Sequence, residues 1–294
     1  MQTLDVFVAK DAEHAAALLA EHAPRAKVLA GGTDLLVDYK SGPKPWDVLI
    51  DISRAADLQA ITLTDEGLSI GAGVTHTQIM RSPEIREHAP ALIDAAHSIG
   101  AVQTRNLGTI GGNLVTCVPS MDSGPALLAL DAAVTVRNAS GLQRWSLAEF
   151  FVGPRKTKLA VADLLVDIVI PRRNLGKPLT FLKFGLRKGQ ALALVNVAAG
   201  FRAEKGVFHE PAIALGAVAP TVIRATEAEA YLAARSISDN AMLEAGCIAA
   251  QEAKPISDFR ASADYRRSLI AVLTERALRH SRESAPARQV EMIA

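Results

Sequence analysis

The sequence AVQTRNLGTIGGNLVTCVPSMDSGP occupies residues 101–125 and lies between two segments with helical apolar spacing. A connection that only turns the chain needs about two to five residues. This one is much longer, carries a glycine pair at Gly111–Gly112, and is rich in hydroxyl and amide side chains. Glycine lets a backbone approach a ligand closely, and exposed N–H groups in such loops bind anions. The stretch therefore predicts a loop that wraps a phosphorylated cofactor.

A second glycine pair, Gly31–Gly32, ends a short apolar strand in the sequence VLAGGTDLL, residues 28–36. Thr33 adds a hydroxyl donor, whereas Asp34 could be only the cap of a following helical turn. Taken alone, this loop is compatible with a plain strand-to-helix turn. Two such loops, however, could hold a diphosphate from opposite sides through backbone N–H donors, without burying several Lys or Arg side chains.

Other phosphate-binding motifs are missing or altered. The spacing of a P-loop does not occur in the chain, and GAGVTH at residues 71–76 has His76 where a Rossmann fingerprint has its third glycine. His76, His88 and His97 lack the spacing of metal ligands, so we expect surface or core histidines. These observations disfavour a P-loop fold, a Rossmann fold and a histidine metal site.

Bulk composition excludes several classes of function. Lys and Arg number 32 against 31 Asp and Glu, and aromatic residues make up 4% of the 294 residues. This balance gives no basic surface for nucleic acid and few rings for base stacking. The two cysteines cannot ligate an iron–sulfur cluster or a cysteine zinc site. We find no signal peptide and no apolar run of membrane-spanning length, so we expect a cytoplasmic, reduced protein.

The apolar patterns divide the chain into three predicted domains. Strand, helix and strand alternate in residues 1–56, which predicts a small α/β unit. Residues 57–173 predict a second α/β unit that contains the long glycine-rich stretch. A polar linker at 172–178 spans the boundary with residues 174–294, where three consecutive strands predict an antiparallel sheet followed by helices.

The two glycine motifs, AGGTDLL and RNLGTIGGNL followed by spaced Pro and Asp residues, resemble the FAD-binding medium subunit of molybdenum hydroxylases. That family includes xanthine, carbon monoxide and nicotinate dehydrogenases. The resemblance continues through LLVDIVIP, FLKFGLRKGQALALVNVAAGF and the C-terminal helices. It implies an α+β fold of the PCMH-type, or vanillyl-alcohol-oxidase-like, class. Two α/β subdomains would hold FAD, and a three-stranded antiparallel sheet with helices would form the C-terminal domain.

The resemblance also implies a set of cofactor-binding residues, but no catalytic side chain and no metal ligand. Several have plain alternatives: Ile99 and Leu165 as core residues, Asp122 as a helix N-cap, and Lys183 on a solvated strand face. The implied FAD-binding residues are Val28, Leu29, Ala30, Gly31, Gly32, Thr33, Asp34, Leu35, Ile99, Thr109, Ile110, Gly111, Gly112, Asn113, Asp122, Leu165 and Lys183.

The stretch TCVPSMD departs from the family pattern. Cys117 and Met121 stand where relatives carry small or amide residues. We interpret Cys117 as a small buried apolar residue. It could also lie close to the flavin, which leaves the choice of electron acceptor open.

The implied function is electron transfer within a heterotrimer or its dimer. A large subunit with a molybdenum cofactor would oxidise the substrate, and a small subunit with [2Fe-2S] clusters would pass the electrons to this FAD. An external acceptor would then receive them. Two alternatives remain open at this point: a scaffold of the same fold that has lost its cofactor, and a stand-alone flavin oxidoreductase.

Overall fold

The structure, a computed structural model, describes residues 3–138 and 140–291, with side chains described through residue 283. The N-terminal unit is a three-stranded parallel sheet in the order β1-β3-β2, with α1 packed on it. Asp11 caps α1 by accepting a hydrogen bond from the His14 N–H at 2.7 Å, as its position in the sequence predicts. The elements are β1 (Asp5–Val8), α1 (Ala12–His22), β2 (Ala26–Leu29), α2 (Leu35–Lys40) and β3 (Val48–Asp51).

The middle unit is a five-stranded antiparallel sheet in the order β4-β5-β10-β6-β7, with short helices against one face. Short 3-10 turns at Ala56–Gln59 and Arg172–Asn174 flank it. The elements are β4 (Ile61–Leu63), β5 (Gly67–Gly71), α3 (His76–Arg81), α4 (Pro83–His88), α5 (Pro90–His97), α6 (Val102–Leu107), α7 (Ile110–Thr116), α8 (Ser123–Ala129), β6 (Ala133–Asn138), β7 (Gly141–Ser146), α9 (Leu147–Phe150), β8 (Phe151–Gly153), β9 (Lys156–Thr157) and β10 (Leu164–Pro171).

The C-terminal unit is an antiparallel sheet in the order β11-β12-β13-β14 with helices on one face. The three predicted strands are present, and a two-residue strand, β14, adds a fourth. The elements are β11 (Leu179–Gly185), β12 (Ala193–Glu204), β13 (Val207–Gly216), β14 (Ile223–Arg224), α10 (Thr226–Leu232), α11 (Asp239–Glu252) and α12 (Ala263–Glu291).

Strand β12 is apolar on both faces because both faces are covered. Ala198 packs into the core of the middle unit, whereas the adjacent Val197 and Ala199 pack against α11 and α12. A strand that is buried on both sides reads as a continuous apolar run rather than an alternating one. The C-terminal sheet is therefore a layer between its own helices and the middle unit.

The glycine-rich stretch at residues 101–125 is not the long loop that the sequence predicts. It folds into α6, α7 and the start of α8. The Thr109 hydroxyl caps α7 by accepting a hydrogen bond from the Gly112 N–H at 3.0 Å. Both glycines of the pair therefore lie in the first helical turn, where intrinsic propensity disfavours them.

The segment IREHAPALIDAAHSIG, residues 85–100, has helical apolar spacing but is not one continuous helix. The chain breaks at Ala89 (φ −147°) and forms two helices, α4 and α5. Pro90 is the first residue of α5, where its missing N–H has no intrahelical partner to lose. Among the residues described, no helix combines the length and apolar character needed to cross a membrane.

Candidate cofactor-binding cleft

A cleft of about 790 Å³ separates the N-terminal unit from the middle unit. Its size suits a nucleotide cofactor. One wall is the loop Ala30–Leu35, and the facing wall is Gly108 with the first turn of α7. The β8–β9 hairpin and the segment 159–165 also line the cleft.

The structure brings most of the predicted cofactor-binding residues to this cleft. Leu29, Ile110, Asp122 and Lys183 are not among its lining residues. Ile110 is fully buried in the core of the middle unit. The predicted residues that line the cleft are Val28, Ala30, Gly31, Gly32, Thr33, Asp34, Leu35, Ile99, Thr109, Gly111, Gly112, Asn113 and Leu165.

The first glycine loop presents unused hydrogen-bond donors. Within the described part of the chain, the backbone N–H groups of Ala30–Asp34 and the Thr33 hydroxyl have no protein acceptor. Gly32 has φ +68°, a conformation that glycine adopts without steric cost. Asp34 makes no capping hydrogen bond to α2. The loop is therefore better suited to binding an anion than to capping a helix.

The second glycine motif has already used its backbone donors. The Ile110 N–H donates to the Val74 carbonyl at 2.9 Å, and the Gly111 N–H donates to the Ala72 carbonyl at 2.9 Å. The Gly112 N–H donates to the Thr109 hydroxyl. The expectation that this motif offers free amides of the same kind as the first loop is therefore wrong. The cause is that α7 is joined to the β5–α3 connection by backbone hydrogen bonds.

What the second motif offers instead is one side-chain amide. The Asn113 Oδ1 atom accepts a hydrogen bond from the Ser123 hydroxyl. Its Nδ2 group has no protein acceptor among the described residues. Because the Ser123 contact orients the amide, Asn113 is a fixed donor on this wall of the cleft.

The glycines explain how the two walls meet. A Cβ atom on Gly31 would lie 1.9 Å from the Leu107 carbonyl oxygen, and one on Gly111 would lie 2.6 Å from the Ala72 carbonyl oxygen. A Cβ atom on Gly112 would meet only the Thr109 Oγ1 atom, at 3.0 Å, within 4 Å. Gly31 and Gly111 are therefore required by backbone packing. Gly112 keeps side-chain atoms out of the cleft.

His76 is a cleft residue that sequence reasoning left as a surface or core histidine. It is 2% exposed, lines the cleft, and its Nδ1 atom has no hydrogen-bond partner among the described residues. Burial, assisted by the nearby Arg105 guanidinium, lowers its pKa to about 4. The imidazole is neutral at pH 7. No cluster of metal-ligating side chains occurs within the described residues.

Asp122 and Lys183 bind each other behind the cleft. The Lys183 ammonium donates to the Asp122 carboxylate at 2.5 Å and to the Ser98 carbonyl at 3.0 Å. The Asn196 amide donates to the other Asp122 oxygen at 2.7 Å. Burial raises the pKa of Asp122, against the opposing effect of Lys183. These hydrogen bonds join Lys183 on β11 and Asn196 on β12 to Asp122, and they join Lys183 to Ser98, the residue before Ile99.

These contacts exclude the two simpler interpretations, Asp122 as a helix N-cap and Lys183 as a solvated strand residue. Asp122 makes no capping hydrogen bond to α8, and Lys183 is not on a solvated strand face because its side chain is 10% exposed. A direct FAD contact by either residue stays a prediction.

The β8–β9 hairpin is the part of the cleft that sequence reasoning missed. Its Val152, Arg155, Lys156 and Thr157 line the cleft. The sequence Gly153-Pro154 is a turn signal that could have marked it, but two short strands have no periodicity to detect. Cys117 is buried, and its thiol points to this hairpin rather than being among the cleft residues.

Comparison with known proteins agrees with this architecture. A family model for the FAD binding domain in molybdopterin dehydrogenase matches residues 2–173, and one for the CO dehydrogenase flavoprotein C-terminal domain matches residues 180–281. The xanthine dehydrogenase FAD-binding subunit of Escherichia coli O157:H7 is 33% identical over 271 residues, which covers 89% of this chain and 90% of that protein. The nicotinate dehydrogenase FAD-subunit of Eubacterium barkeri is 35% identical over 201 residues, covering 67% and 68%.

A solved structure shares the fold over nearly the whole chain. A chain of carbon monoxide dehydrogenase from Hydrogenophaga pseudoflava superposes with a TM-score of 0.90 at 30% identity, covering 97% of this chain and 98% of that one. The α+β fold expected from the sequence is confirmed. The chain thus belongs to the FAD-binding medium subunits of the molybdenum hydroxylase family, as an oxidoreductase subunit with an FAD-binding domain.

Proposed function

We propose that this chain is an electron-transfer subunit that binds FAD between Ala30–Asp34 and α7. The observation that carries the proposal is the row of unused N–H donors on Ala30–Asp34, which faces the Asn113 amide across a cleft of nucleotide size. Such donors suit the diphosphate of FAD. When bound, FAD supplies the electron chemistry.

The chain's own residues bind and orient the cofactor. Ala30–Asp34 and Asn113 would hold the diphosphate, while Ile99 and Leu165, which also line the cleft, would contact the cofactor. Gly112 has no side chain and so leaves room for the cofactor in the cleft. The neutral His76 adds no charge to the cleft wall. None of these residues needs to act as a nucleophile or general base.

We propose three domains with the boundaries 1–56, 57–173 and 174–294. The first two would hold FAD, because the cleft lies between them. The third would fix the cleft from behind through the buried pair Asp122–Lys183. One buried apolar cluster lies wholly within residues 174–294, whereas the cluster of the middle unit also takes in Ala198 and Ala214 of the third domain.

The partners in this proposal are a large subunit with a molybdenum cofactor and a small subunit with [2Fe-2S] clusters. They would form a heterotrimer or its dimer in the cytoplasm, with an external electron acceptor. The chain has two cysteines, fewer than a [2Fe-2S] cluster needs. Electrons would therefore reach this chain from clusters on another subunit. The substrate belongs to the large subunit.

A visible absorption spectrum and a co-purification test the proposal. We expect flavin bands without iron–sulfur absorbance in the isolated full chain, and two further subunits when the chain is purified from its native source. A colourless chain that FAD does not reconstitute would contradict the proposal in favour of a scaffold. Substrate turnover by the isolated chain would contradict it in favour of a stand-alone flavin oxidoreductase.

A further inference from the structure

The β8–β9 hairpin (Phe151–Thr157) forms a wall of the cleft beyond the two glycine motifs. Its Arg155 and Lys156 are exposed at the rim and line the cleft. In the described part of the chain, neither side chain has an ion-pair or hydrogen-bond partner. By contrast, the Asp38 carboxylate on the same cleft pairs with Lys44 at 3.2 Å. Two adjacent cations without a protein anion mark this rim as a place for an anionic ligand.

Cys117 holds this hairpin in place. It ends α7 in a left-handed conformation (φ 49°), and its carbonyl accepts a hydrogen bond from the Arg155 N–H at 2.8 Å. Its thiol contacts the Gly153 and Lys156 carbonyl oxygens at 3.4 and 3.5 Å. Helix α7 therefore carries the glycine motif at its start and the hairpin at its end.

The hairpin adds positive charge on the side of the cleft where the backbone donors of α7 are already used. The backbone donors at the start of α7 are bound to protein acceptors, so this side of the cleft has few groups that could balance a diphosphate. Arg155 and Lys156 lie on the same side, because Cys117 joins their turn to α7. Arginine and lysine contacts to phosphate are charge-assisted and stronger than contacts between neutral groups.

We propose that Arg155 and Lys156 are cofactor-binding residues that contact the anionic nucleotide part of FAD, and that Cys117 is the positioning residue that holds them there. This inference rests on the proposed function. In this proposal, the Ala30–Asp34 loop binds one side of the diphosphate. The β8–β9 hairpin, and not the second glycine pair alone, binds the opposite side.

Titration of the full chain, stripped of flavin, with FAD and with riboflavin tests the proposal. The variant Arg155→Met with Lys156→Met removes both charges and keeps most of the side-chain length. We expect its Kd for FAD to rise about tenfold and the salt dependence of FAD binding to flatten. Its Kd for riboflavin, which has no phosphate, should stay within about twofold.

Lys158→Met is the matched control, because Lys158 is the next cation along the chain, lies 6.0 Å from the Trp145 ring centre and is not a cleft residue. It should bind FAD as the unchanged chain does. An FAD Kd and salt dependence of the double variant equal to those of Lys158→Met would overturn the proposal. If the unchanged chain does not bind FAD at all, the proposed function itself fails.

The role of Cys117 has a separate readout. We expect Cys117→Ala to weaken FAD binding while riboflavin binding is kept, and Cys117→Ser, which retains a donor, to restore most of the loss. Combined with the two methionine substitutions, Cys117→Ala should add little further loss, because it acts through the same hairpin. A fully multiplicative loss would overturn the positioning role.

Discussion

Gly31→Ala tests whether contact between the two glycine walls creates the cofactor site. The new Cβ atom would lie 1.9 Å from the Leu107 carbonyl oxygen, whereas ordinary contact begins near 3.4 Å. The loop and α6 would have to separate by the difference, about 1.5 Å, because both clashing groups are backbone. We expect the free energy of unfolding to fall by about 2–3 kcal/mol, the upper part of the range for overpacking.

The same displacement should move the N–H groups of Ala30–Asp34 away from α7. Since hydrogen bonds weaken steeply with poor geometry, we expect the Kd for FAD to rise at least tenfold, or about 1.4 kcal/mol. Urea unfolding and quenching of flavin fluorescence on titration measure the two effects. Gly189→Ala is the control, because a Cβ atom there meets nothing within 4 Å. An FAD affinity of Gly31→Ala equal to that of the control would show that contact between the two walls does not create the cofactor site.

Three further outcomes follow from the site. Gly112→Val places a branched side chain at the open face of α7, so bound FAD per chain should fall sharply while circular dichroism stays unchanged; full FAD occupancy would show that the motif is misplaced. His76 has a folded pKa of about 4 against 6.5, so its contribution to stability is present above pH 6.5 and is lost as the pH falls toward 4. Between pH 7 and pH 5 this amounts to about 2 kcal/mol, and urea unfolding of His76→Gln should show a pH dependence smaller by that amount; an unchanged dependence would be inconsistent with a buried neutral imidazole. Lys183→Met leaves the Asp122 carboxylate buried without its cation, so unfolding should become easier by about 3–5 kcal/mol; a loss below 1 kcal/mol in the same urea assay would mean that Asp122 is neutral or solvated.

Local patterns were sufficient for the elements with strong periodicity. The buried face of α1 (Ala12, Ala15, Leu18 and Leu19) follows helical spacing, and Asp11 is in the capping position. Thr75 and Gln78 have the spacing of a capping box in the sequence, and they form one at the start of α3. These signals lie within one turn of helix or one strand, so a single sequence contains them. The glycine motifs likewise located most of the cleft.

The rest depends on contacts between distant residues. The need for glycine at position 31 comes from Leu107, and the partner of Lys183 is Asp122. Neither pair has a local signal. The glycine pair of α7 resembles a phosphate-binding loop, yet its donors are bound to Ala72 and Val74, and this is visible only once the chain is folded.

A crystal structure of the full chain with FAD would show which groups of the chain bind the diphosphate. We expect the diphosphate oxygens to accept hydrogen bonds of about 2.7–3.2 Å from N–H groups of Ala30–Asp34, with Ile110 and Gly111 still bound to their protein acceptors. A diphosphate outside this cleft, or one held by α7 while the N–H groups of Ala30–Asp34 face solvent, would show that the Ala30–Asp34 loop is not the diphosphate site.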